Sequence, residues 1–209
     1  MRAPLAIVGV LLALVGCGSP AHADDVYPLD DIARTVSPTG RMRCPEIALV
    51  WHEGGAIRWA SALRVNAEFD KRLSLFEDVV KTVAERVLGR APKKLTHLGS
   101  FNCRRIARYP DLLSEHGLGN AVDVAGFVFP ALSREAKKTS KLPKRWQGGV
   151  TVTVLGDWTD DTPGGEFLRA LTAELEQRPD IFRVMLGPAY PGHKNHFHFD
   201  VAPYRLVQL

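Results

Sequence analysis

Two short segments, one near the middle of the chain and one near its end, hold four of its seven histidines. The first reads SEHGLGNAVD from Ser114 to Asp123, and the second reads HKNHFHFD from His193 to Asp200. Imidazole and carboxylate groups both bind metal ions, and imidazole also transfers protons near neutral pH. Any fold of this chain must therefore account for where these two segments lie relative to one another.

The first segment is predicted to be a loop that runs into a strand. His116 and Asp123 are seven residues apart with two glycines between them, so they do not pair on one face of a helix. Period-two alternation places Asp123 on the same strand face as Ala121 and Ala125. These small side chains leave room beside the carboxylate.

The second segment is predicted to be a strand with two different faces. His196, His198 and Asp200 share one face, and Phe197 and Phe199 pack behind them. Two imidazole groups and one carboxylate could therefore converge.

Two histidines and one aspartate form a three-ligand set for zinc that leaves a position open for water, as catalytic zinc sites do. The sequence lacks other common motifs of zinc sites and of hydrolase nucleophiles. His52-Glu53 lacks the second histidine of an HExxH helix, and there is no cysteine-pair zinc site or G-x-S-x-G nucleophile elbow. The alternative is that the histidines pack in a core or line a polar surface.

Hydrophobic periodicity along the rest of the chain predicts one α+β domain over residues 41–209. Helices are expected over residues 69–88, ending at Gly89, and over residues 167–175. Residues 133–147, rich in lysine and arginine, are expected to form a surface excursion. Strands are expected at 94–101, 121–129, 150–155, 182–186 and 197–201.

Residues 1–23 are predicted to be a secretory signal peptide. The apolar run from Leu5 to Val15 is too short to span a bilayer core of about 30 Å as a helix, and it fits the apolar region of such a peptide. Two processing signals follow: a lipobox that would make Cys17 the lipidated N-terminus, and a small-x-small site for cleavage after Ala23. An uncleaved anchor is the third alternative.

Either cleavage sends the domain out of the cytoplasm, into the periplasm or cell envelope, and lipidation would make it an outer-membrane lipoprotein anchored in the membrane. The polar, irregular residues 24–40 are expected to be a tether. An oxidising compartment makes a disulfide between Cys44 and Cys103 plausible, with two buried free thiols as the alternative. The net charge of +4 is too small to indicate nucleic-acid binding.

The motif S-x-H-x-x-G-x-A-x-D followed by H-x-H resembles the LAS group of zinc peptidases. That group contains D-Ala-D-Ala carboxypeptidases, lysostaphin-type endopeptidases and the metal-binding domain of Sonic hedgehog. The spacing of His193, His196 and His198 is most similar to penicillin-insensitive murein endopeptidases. The stretches GSFNCR (99–104) and LGP (186–188) resemble the bacterial extensin-like C-terminal domain, and the likeness extends over about residues 44–204.

This resemblance implies a small antiparallel sheet with flanking helices, the LAS or hedgehog-like zinc peptidase fold. It also implies that His116, Asp123 and His198 bind Zn²⁺. His196 would be the catalytic histidine, and His193, the second candidate for a catalytic role, would line the site.

Other residues receive weaker roles from the same resemblance. Ser114 would orient the loop or bind a ligand, and Arg104, with Arg105 as the alternative, would hold a substrate carboxylate. Asp200 would accept a hydrogen bond from a ligand histidine. Asn195 departs from the pattern, since relatives often have a carboxylate there and an amide cannot accept a proton as a general base.

The expected function is that of an exported, monomeric zinc metallopeptidase that hydrolyses amide bonds in peptidoglycan stem or cross-link peptides. The first alternative is a non-catalytic zinc-binding domain that binds cell-wall peptides or a partner protein. The second is a structural envelope protein in which the histidines are merely packed.

Overall fold

The structure is a computed structural model that describes residues 27–209. The expected signal peptide, with Cys17 and the cleavage site after Ala23, lies outside these residues. Within them, no helix has the length and apolar character that crossing a membrane requires.

The domain is built from eleven strands, five helices and one 3₁₀ turn over the described residues. In chain order these are β1 (Leu49–His52), β2 (Arg58–Trp59), β3 (Leu63–Asn66), α1 (Ala67–Leu88), β4 (Lys94–Gly99), β5 (Arg105–Ile106), β6 (Tyr109–Leu113), the 3₁₀ turn (Glu115–Leu118), β7 (Ala121–Phe129), α2 (Arg134–Thr139), α3 (Lys144–Gln147), β8 (Val150–Thr153), α4 (Val154–Asp157), α5 (Pro163–Glu176), β9 (Val184–Leu186), β10 (Phe197–Asp200) and β11 (Leu206–Gln208).

Seven strands form the main sheet, in the order β11-β9-β10-β7-β4-β2, with β8 also paired to β7. The pairings around β7 and β10 are antiparallel, and the parallel pairs, β11 with β9 and β2 with β4, lie at the two edges. Two smaller antiparallel pairs, β1 with β3 and β5 with β6, complete the strands. The expected α+β class with mainly antiparallel pairing is confirmed.

Helices α1 and α5 cover one face of this sheet. Phe76 of α1 packs on Phe199 of β10, and Phe167 of α5 packs on Phe127 of β7, all of them fully buried. Because side chains alternate along a strand, the polar residues between these phenylalanines face the opposite side of the sheet. The core and the candidate site therefore lie on opposite faces of the same strands.

Helix α1 ends at Leu88, as its sequence predicts, and begins at Ala67, two residues earlier than expected. The Asn66 side chain accepts hydrogen bonds from the backbone N–H groups of Glu68 and Phe69, which caps the N-terminus. Gly89 follows the last turn with φ of 66°, a left-handed conformation that glycine adopts without steric cost.

Glu77 interrupts the apolar face of α1 and is fully buried. Its carboxylate accepts hydrogen bonds from Trp59 Nε1 (2.6 Å) and from the backbone N–H of Gly55 (2.9 Å), and it lies 2.8 Å from His52 Nε2. The other nitrogen of His52 lies 2.8 Å from Asp70 Oδ1. This network fastens the loop after β1 to the helix.

The tether expected over residues 24–40 is corrected over its described part, which packs on the domain. Tyr27 is 3% exposed, and its hydroxyl lies 2.5 Å from Asn120 Oδ1. Arg34 forms an ion pair with Glu115 at 2.8 Å, and Thr35 bridges to Leu112 of β6. These contacts hold residues 27–36 alongside the β5–β6 pair.

The expected disulfide between Cys44 and Cys103 is confirmed, with a Cα–Cα distance of 5.7 Å. Arg105, just after it, donates hydrogen bonds to the backbone carbonyls of Ser37, Thr39 and Gly40. Both links hold the N-terminal segment against the β5–β6 pair.

The five expected strands correspond to β4, β7, β8, β9 and β10, whereas the short strands β1, β2, β3, β5, β6 and β11 were not expected. The surface excursion at 133–147 contains α2, which has no buried residue, and α3, which Trp146 anchors in the core. The strand expected over 150–155 ends at Thr153, where its side chain accepts a hydrogen bond from Gly156 N–H and starts α4.

Candidate metal centre

His116 lies in the 3₁₀ turn and is 2% exposed. Ser114 caps this turn, because its hydroxyl oxygen accepts a hydrogen bond from the His116 backbone N–H at 3.4 Å. Gly117 permits close packing here: a Cβ at that position would lie 2.8 Å from Cys44 Sγ and 2.8 Å from Leu113 Cδ1. The disulfide therefore supports the turn that positions the histidine.

Asp123 and His198 come from adjacent strands and face one another directly. They are register partners in the antiparallel pair of β7 and β10. Nδ1 of His198 lies 3.0 Å from Oδ1 of Asp123. The predicted loop-then-strand placement of His116 and Asp123 is also confirmed, since the 3₁₀ turn precedes β7.

Three potential ligand atoms meet at this point. Nε2 of His116 lies 3.2 Å from Asp123 Oδ1 and 3.1 Å from Nδ1 of His198. A tetrahedral zinc with bonds of about 2.0–2.1 Å separates its ligand atoms by roughly 3.3 Å. The structure thus brings together the three residues predicted as ligands, at separations that suit a metal ion, and these same residues form a potential metal-binding group.

The outer nitrogen of each ligand histidine has its own acceptor. Nδ1 of His116 is hydrogen-bonded to the Ser100 backbone carbonyl, and Nε2 of His198 lies 2.6 Å from Oδ2 of Asp200. Such partners hold a ligand imidazole in one tautomer and orientation. With hydrogens on these outer nitrogens, the inner nitrogens and Asp123 can offer lone pairs to a metal ion.

The local pKa values show that this arrangement attracts positive charge. Burial alone would lower the pKa of His198, but hydrogen bonds to Asp123 and Asp200 outweigh burial and raise it to about 9. Burial alone would raise the pKa of Asp123, but its hydrogen bonds with His116 and His198 hold it well below its usual range. A proton on Nδ1 of His198 would lie between Asp123 and Nε2 of His116, whereas a metal ion could bind all three groups.

His196 stands beside these three residues. Its Nε2 lies 3.7 Å from Asp123 Oδ1, and its Nδ1 lies 2.9 Å from Oδ1 of Asn195. The amide oxygen can only accept, so the hydrogen of His196 is on Nδ1 and the lone pair of Nε2 faces the centre. Burial is the main cause that lowers the pKa of His196.

His193 lines the site, as predicted, without contacting the ligand atoms. Its ring centroid lies 4.8 Å from that of His196 and 5.8 Å from that of His198. Nδ1 of His193 is 3.2 Å from the carbonyl of Pro191. Tyr190 packs against the same ring at 5.2 Å.

The centre opens into a cleft of about 870 Å³ that runs between the β5–β6 pair and the β9–β11 edge of the sheet. Arg104 and Ser114 both line this cleft. Arg105, the alternative for binding a carboxylate, instead donates hydrogen bonds to backbone carbonyls of the N-terminal segment. Burial is the main cause that lowers the pKa of His193, and the charge of Arg104 lowers it further, which places Arg104 within electrostatic range.

The sequence did not single out several residues of this cleft. Tyr190, Tyr204 and Arg108 line it, and each comes from a loop where an isolated aromatic or basic residue carries no pattern. Ser100 contributes through its backbone carbonyl, which any residue could supply. The one available signal was that Ser100 belongs to the GSFNCR stretch of residues 99–104.

A family model described as extensin-like protein C-terminus matches residues 30–141, which are 112 of the 209 residues. The matched span begins in the packed N-terminal segment and includes His116 and Asp123, while His196 and His198 lie beyond it. It starts and ends earlier than the likeness noted over residues 44–204. No curated protein and no solved structure shows a significant match to the chain.

Proposed function

The chain belongs to the extensin-like protein C-terminus family, and from that premise we propose that it is an exported zinc metallopeptidase, related to the LAS group, that cleaves peptidoglycan peptides. One observation carries this proposal: the ligand atoms of His116, Asp123 and His198 lie within 3.2 Å of one another at an open cleft, with Nε2 of His196 facing them. A purely structural role for the histidines would not require three ligand atoms to meet at an open cleft.

His116, Asp123 and His198 would hold the zinc ion. When bound in such a site, zinc lowers the pKa of a coordinated water toward about 7 and polarises a carbonyl group. Three protein ligands leave room for that water, as is typical of catalytic rather than structural zinc sites.

His196 is the group placed to move a proton. Its lowered pKa keeps the ring neutral at pH 7, and Asn195 Oδ1 fixes the tautomer in which Nε2 accepts. Nε2 can then take a proton from the attacking water and return it to the leaving amine. Asn195 would thus orient the His196 ring and would not itself transfer a proton. The carboxylate that relatives often have at this position is not needed for that role.

The cleft suits a peptide substrate. Its volume of about 870 Å³ falls in the range of about 300–1,000 Å³ typical of ligand sites. Arg104 could bind a substrate carboxylate, while Ser114 acts by positioning His116 through the capped turn. Peptidoglycan stem peptides and cross-links present both carboxylates and amide bonds, in the compartment to which the signal peptide would send this domain.

A non-catalytic zinc-binding domain that binds wall peptides is the second candidate, and Asn195 is the observation that favours it. An amide cannot accept a proton, so the chain lacks the extra base that relatives often carry at this position. Under this reading the centre binds zinc and the cleft binds peptide, without turnover.

Muropeptide mass spectrometry distinguishes the two candidates. The zinc-loaded protein is incubated with purified sacculi of several peptide chemotypes, next to His198→Ala and next to His97→Ala, a histidine of β4 that lies outside the cleft. The peptidase is supported if new peptide ends appear with wild type and His97→Ala and vanish with His198→Ala. If the muropeptides of every chemotype stay intact although the protein has bound zinc, the non-catalytic zinc-binding domain is favoured.

Export and anchoring form a separate part of the proposal. We expect a soluble periplasmic protein if cleavage follows Ala23, and a membrane-bound lipoprotein if Cys17 is lipidated. The domain is expected to act as a monomer. Fractionation of cells expressing wild type and Cys17→Ser distinguishes the two routes, because only a lipoprotein loses its membrane association on this substitution.

A further inference from the structure

The sheet face that carries the metal centre continues beyond it to the sheet edge. His198 of β10 is the register partner of Asp123 on one side and of Leu186 on the other, and Leu186 is in turn the partner of Gln208. Neighbouring strands are about 4.8 Å apart, so β9 and β11 add roughly 10 Å of floor next to the ligands.

This added floor is mainly apolar. Val184 is paired with Asp200 on one side and with Leu206 on the other, and all three line the cleft. Val184 (2% exposed) and Leu186 (8% exposed) belong to a small hydrophobic cluster that is separate from the main core, and the partly buried Tyr190 packs against it. Leu206 is 37% exposed. An aliphatic surface that opens into a cleft beside polar groups is typical of a ligand subsite.

Two arginines of the cleft are available to a ligand. Arg34 pairs with Glu115, and the carboxylates of Asp123 and Asp200 are hydrogen-bonded to histidines of the centre. The side chains of Arg104 and Arg108, at the β5–β6 side of the cleft, have no ion-pair or hydrogen-bond partner among residues 27–209. These two guanidinium groups can therefore bind a carboxylate of a ligand.

We infer that Val184, Leu186 and Leu206 form a subsite for an aliphatic side chain next to the metal centre, and that Arg108 joins Arg104 in binding a carboxylate of the same peptide. The inference rests on the proposed function and names its substrate class, an anionic peptide with an aliphatic side chain beside the scissile bond. The aliphatic group lies on the β9–β11 floor while the carboxylate lies at the β5–β6 side.

Binding of three blocked tripeptides tests this assignment without requiring turnover. The probes are N-acetyl-Gly-Leu-Ala, N-acetyl-Gly-Ser-Ala and the C-terminal amide of the leucine peptide. Each is made with the L- and with the D-enantiomer of its middle residue. Affinities are measured by calorimetry on the zinc-loaded protein and on its His196→Ala variant, in which hydrolysis would be suppressed. We expect the leucine peptide to bind about tenfold more tightly than the serine peptide, from burial of its side chain.

Substitutions at two residues, Leu206 and Arg108, locate the preferences in the cleft. Leu206→Asp should reduce the leucine preference to less than about threefold, and Leu206→Asn, similar in size and uncharged, should do the same if the aspartate variant does not fold. Arg108→Ala should weaken the carboxylate peptide about fivefold and leave the amide peptide unchanged. The matched controls are Leu155→Asp, at a leucine of α4 that is 70% exposed, and Arg58→Ala on β2, both outside the cleft.

Equal binding of the leucine and serine peptides, or a leucine preference that survives both Leu206 variants, would overturn the aliphatic subsite. An Arg108→Ala variant that binds all probes as wild type does would overturn the role of Arg108. These outcomes are separable from failure of the proposed function, because a protein that shows the preferences but leaves sacculi intact retains the subsite and loses only the peptidase assignment.

Discussion

Nε2 of His116 and Nδ1 of His198 lie 3.1 Å apart, and the other nitrogen of each ring is hydrogen-bonded, to the Ser100 carbonyl and to Asp200 respectively. Two facing lone pairs would repel, and the nearby carboxylate of Asp123 adds a negative charge, so a proton or a metal ion must lie between these groups. Zinc would replace the proton that the raised pKa of His198 retains there, and this exchange underlies the first two predictions.

Zinc should bind in a one-to-one ratio and should stabilise the domain. Because only the folded state assembles the three ligands, zinc at about 100 times its dissociation constant should add about 2.7 kcal/mol to the free energy of unfolding. His116→Ala and His198→Ala should each lose the bound metal, as measured by elemental analysis after dialysis. His97→Ala is the control, and unchanged zinc content in the first two variants would show that the ligands are assigned incorrectly.

Asp200→Asn should weaken zinc binding without removing a ligand. Both oxygens of Asp200 accept hydrogen bonds, one from His198 Nε2 and one from the Ala202 backbone N–H at 2.8 Å, and an amide can satisfy only one of them. Loss of such a partner lowers metal affinity about 10- to 100-fold. Competition with a chromogenic chelator measures this, with Asp111→Asn on the exposed part of β6 as the control. Equal affinities in the two variants would contradict the role of Asp200.

Glu77→Gln should strongly destabilise the fold. The carboxylate is fully buried and accepts hydrogen bonds from Trp59 and Gly55 while it faces His52, so an amide NH₂ there would meet another donor. Breaking one partner of a buried pair costs about 3–5 kcal/mol. Urea unfolding measures the change, and Glu85→Gln on the exposed face of α1 should change the free energy of unfolding by less than about 0.5 kcal/mol.

The same network should make stability depend on pH in both directions. Burial tends to lower the pKa of His52, but hydrogen bonds to Glu77 and Asp70 outweigh burial and raise it above 6.5. Burial tends to raise the pKa of Glu77, but its hydrogen bonds, led by that with His52, lower it below 4.5. The contribution of His52 is therefore fully present below its unfolded-state pKa and is lost as pH rises through its higher folded-state pKa.

For Glu77 the direction is opposite, since its contribution is present above its unfolded-state pKa and is lost as pH falls through its lower folded-state pKa. The gap in unfolding free energy between wild type and His52→Gln should therefore be largest at about pH 5–6 and should shrink toward alkaline pH. Urea titrations across this range measure the gap, and a gap that grows with rising pH would contradict the assignment.

Reduction of the disulfide should destabilise the domain. The bridge closes a loop with a sequence separation of 59, for which loop-closure entropy predicts about 4 kcal/mol. Cys44→Ser, Cys103→Ser and the double variant should lower the melting temperature by the same amount, because each removes the same bond. Addition of reductant should lower the melting temperature of wild type only. Different melting temperatures for the two single variants would mean that a free thiol has a separate effect.

The regular elements could be predicted from hydrophobic periodicity because they bury one continuous face. The pattern at Phe69, Phe76 and Val80 places α1 correctly, and the alternation around Asp123 gives β7 the residue bounds that the structure has. The pairing of β7 with β10 could not be predicted this way, because periodicity within a strand does not say which strand lies next to it. The resemblance to zinc peptidases implied only that Asp123 and His198 bind the same metal ion, and it named no strand pairing.

Two features were missed for identifiable physical reasons. Residues 27–36 have no hydrophobic period, and they are held by single contacts such as those of Tyr27 and Arg34 with residues far along the chain. Glu77 did carry a signal, since it occupies the helical stripe shared with Leu73 and Val80. A carboxylate in such a stripe indicates a buried partner, which here is His52.

The burial of Tyr27 limits how far the domain could travel from a lipid anchor. Ten residue steps separate Cys17 from Tyr27, and a fully extended chain covers at most about 35 Å over that length. If Cys17 is lipidated, the cleft can reach only the layer of wall that lies directly against its own membrane, and more distant cross-links would be cut only where the wall itself comes close. A chain released after Ala23 would have no such boundary, so the choice of cleavage site would also decide which part of the wall the proposed peptidase could reach.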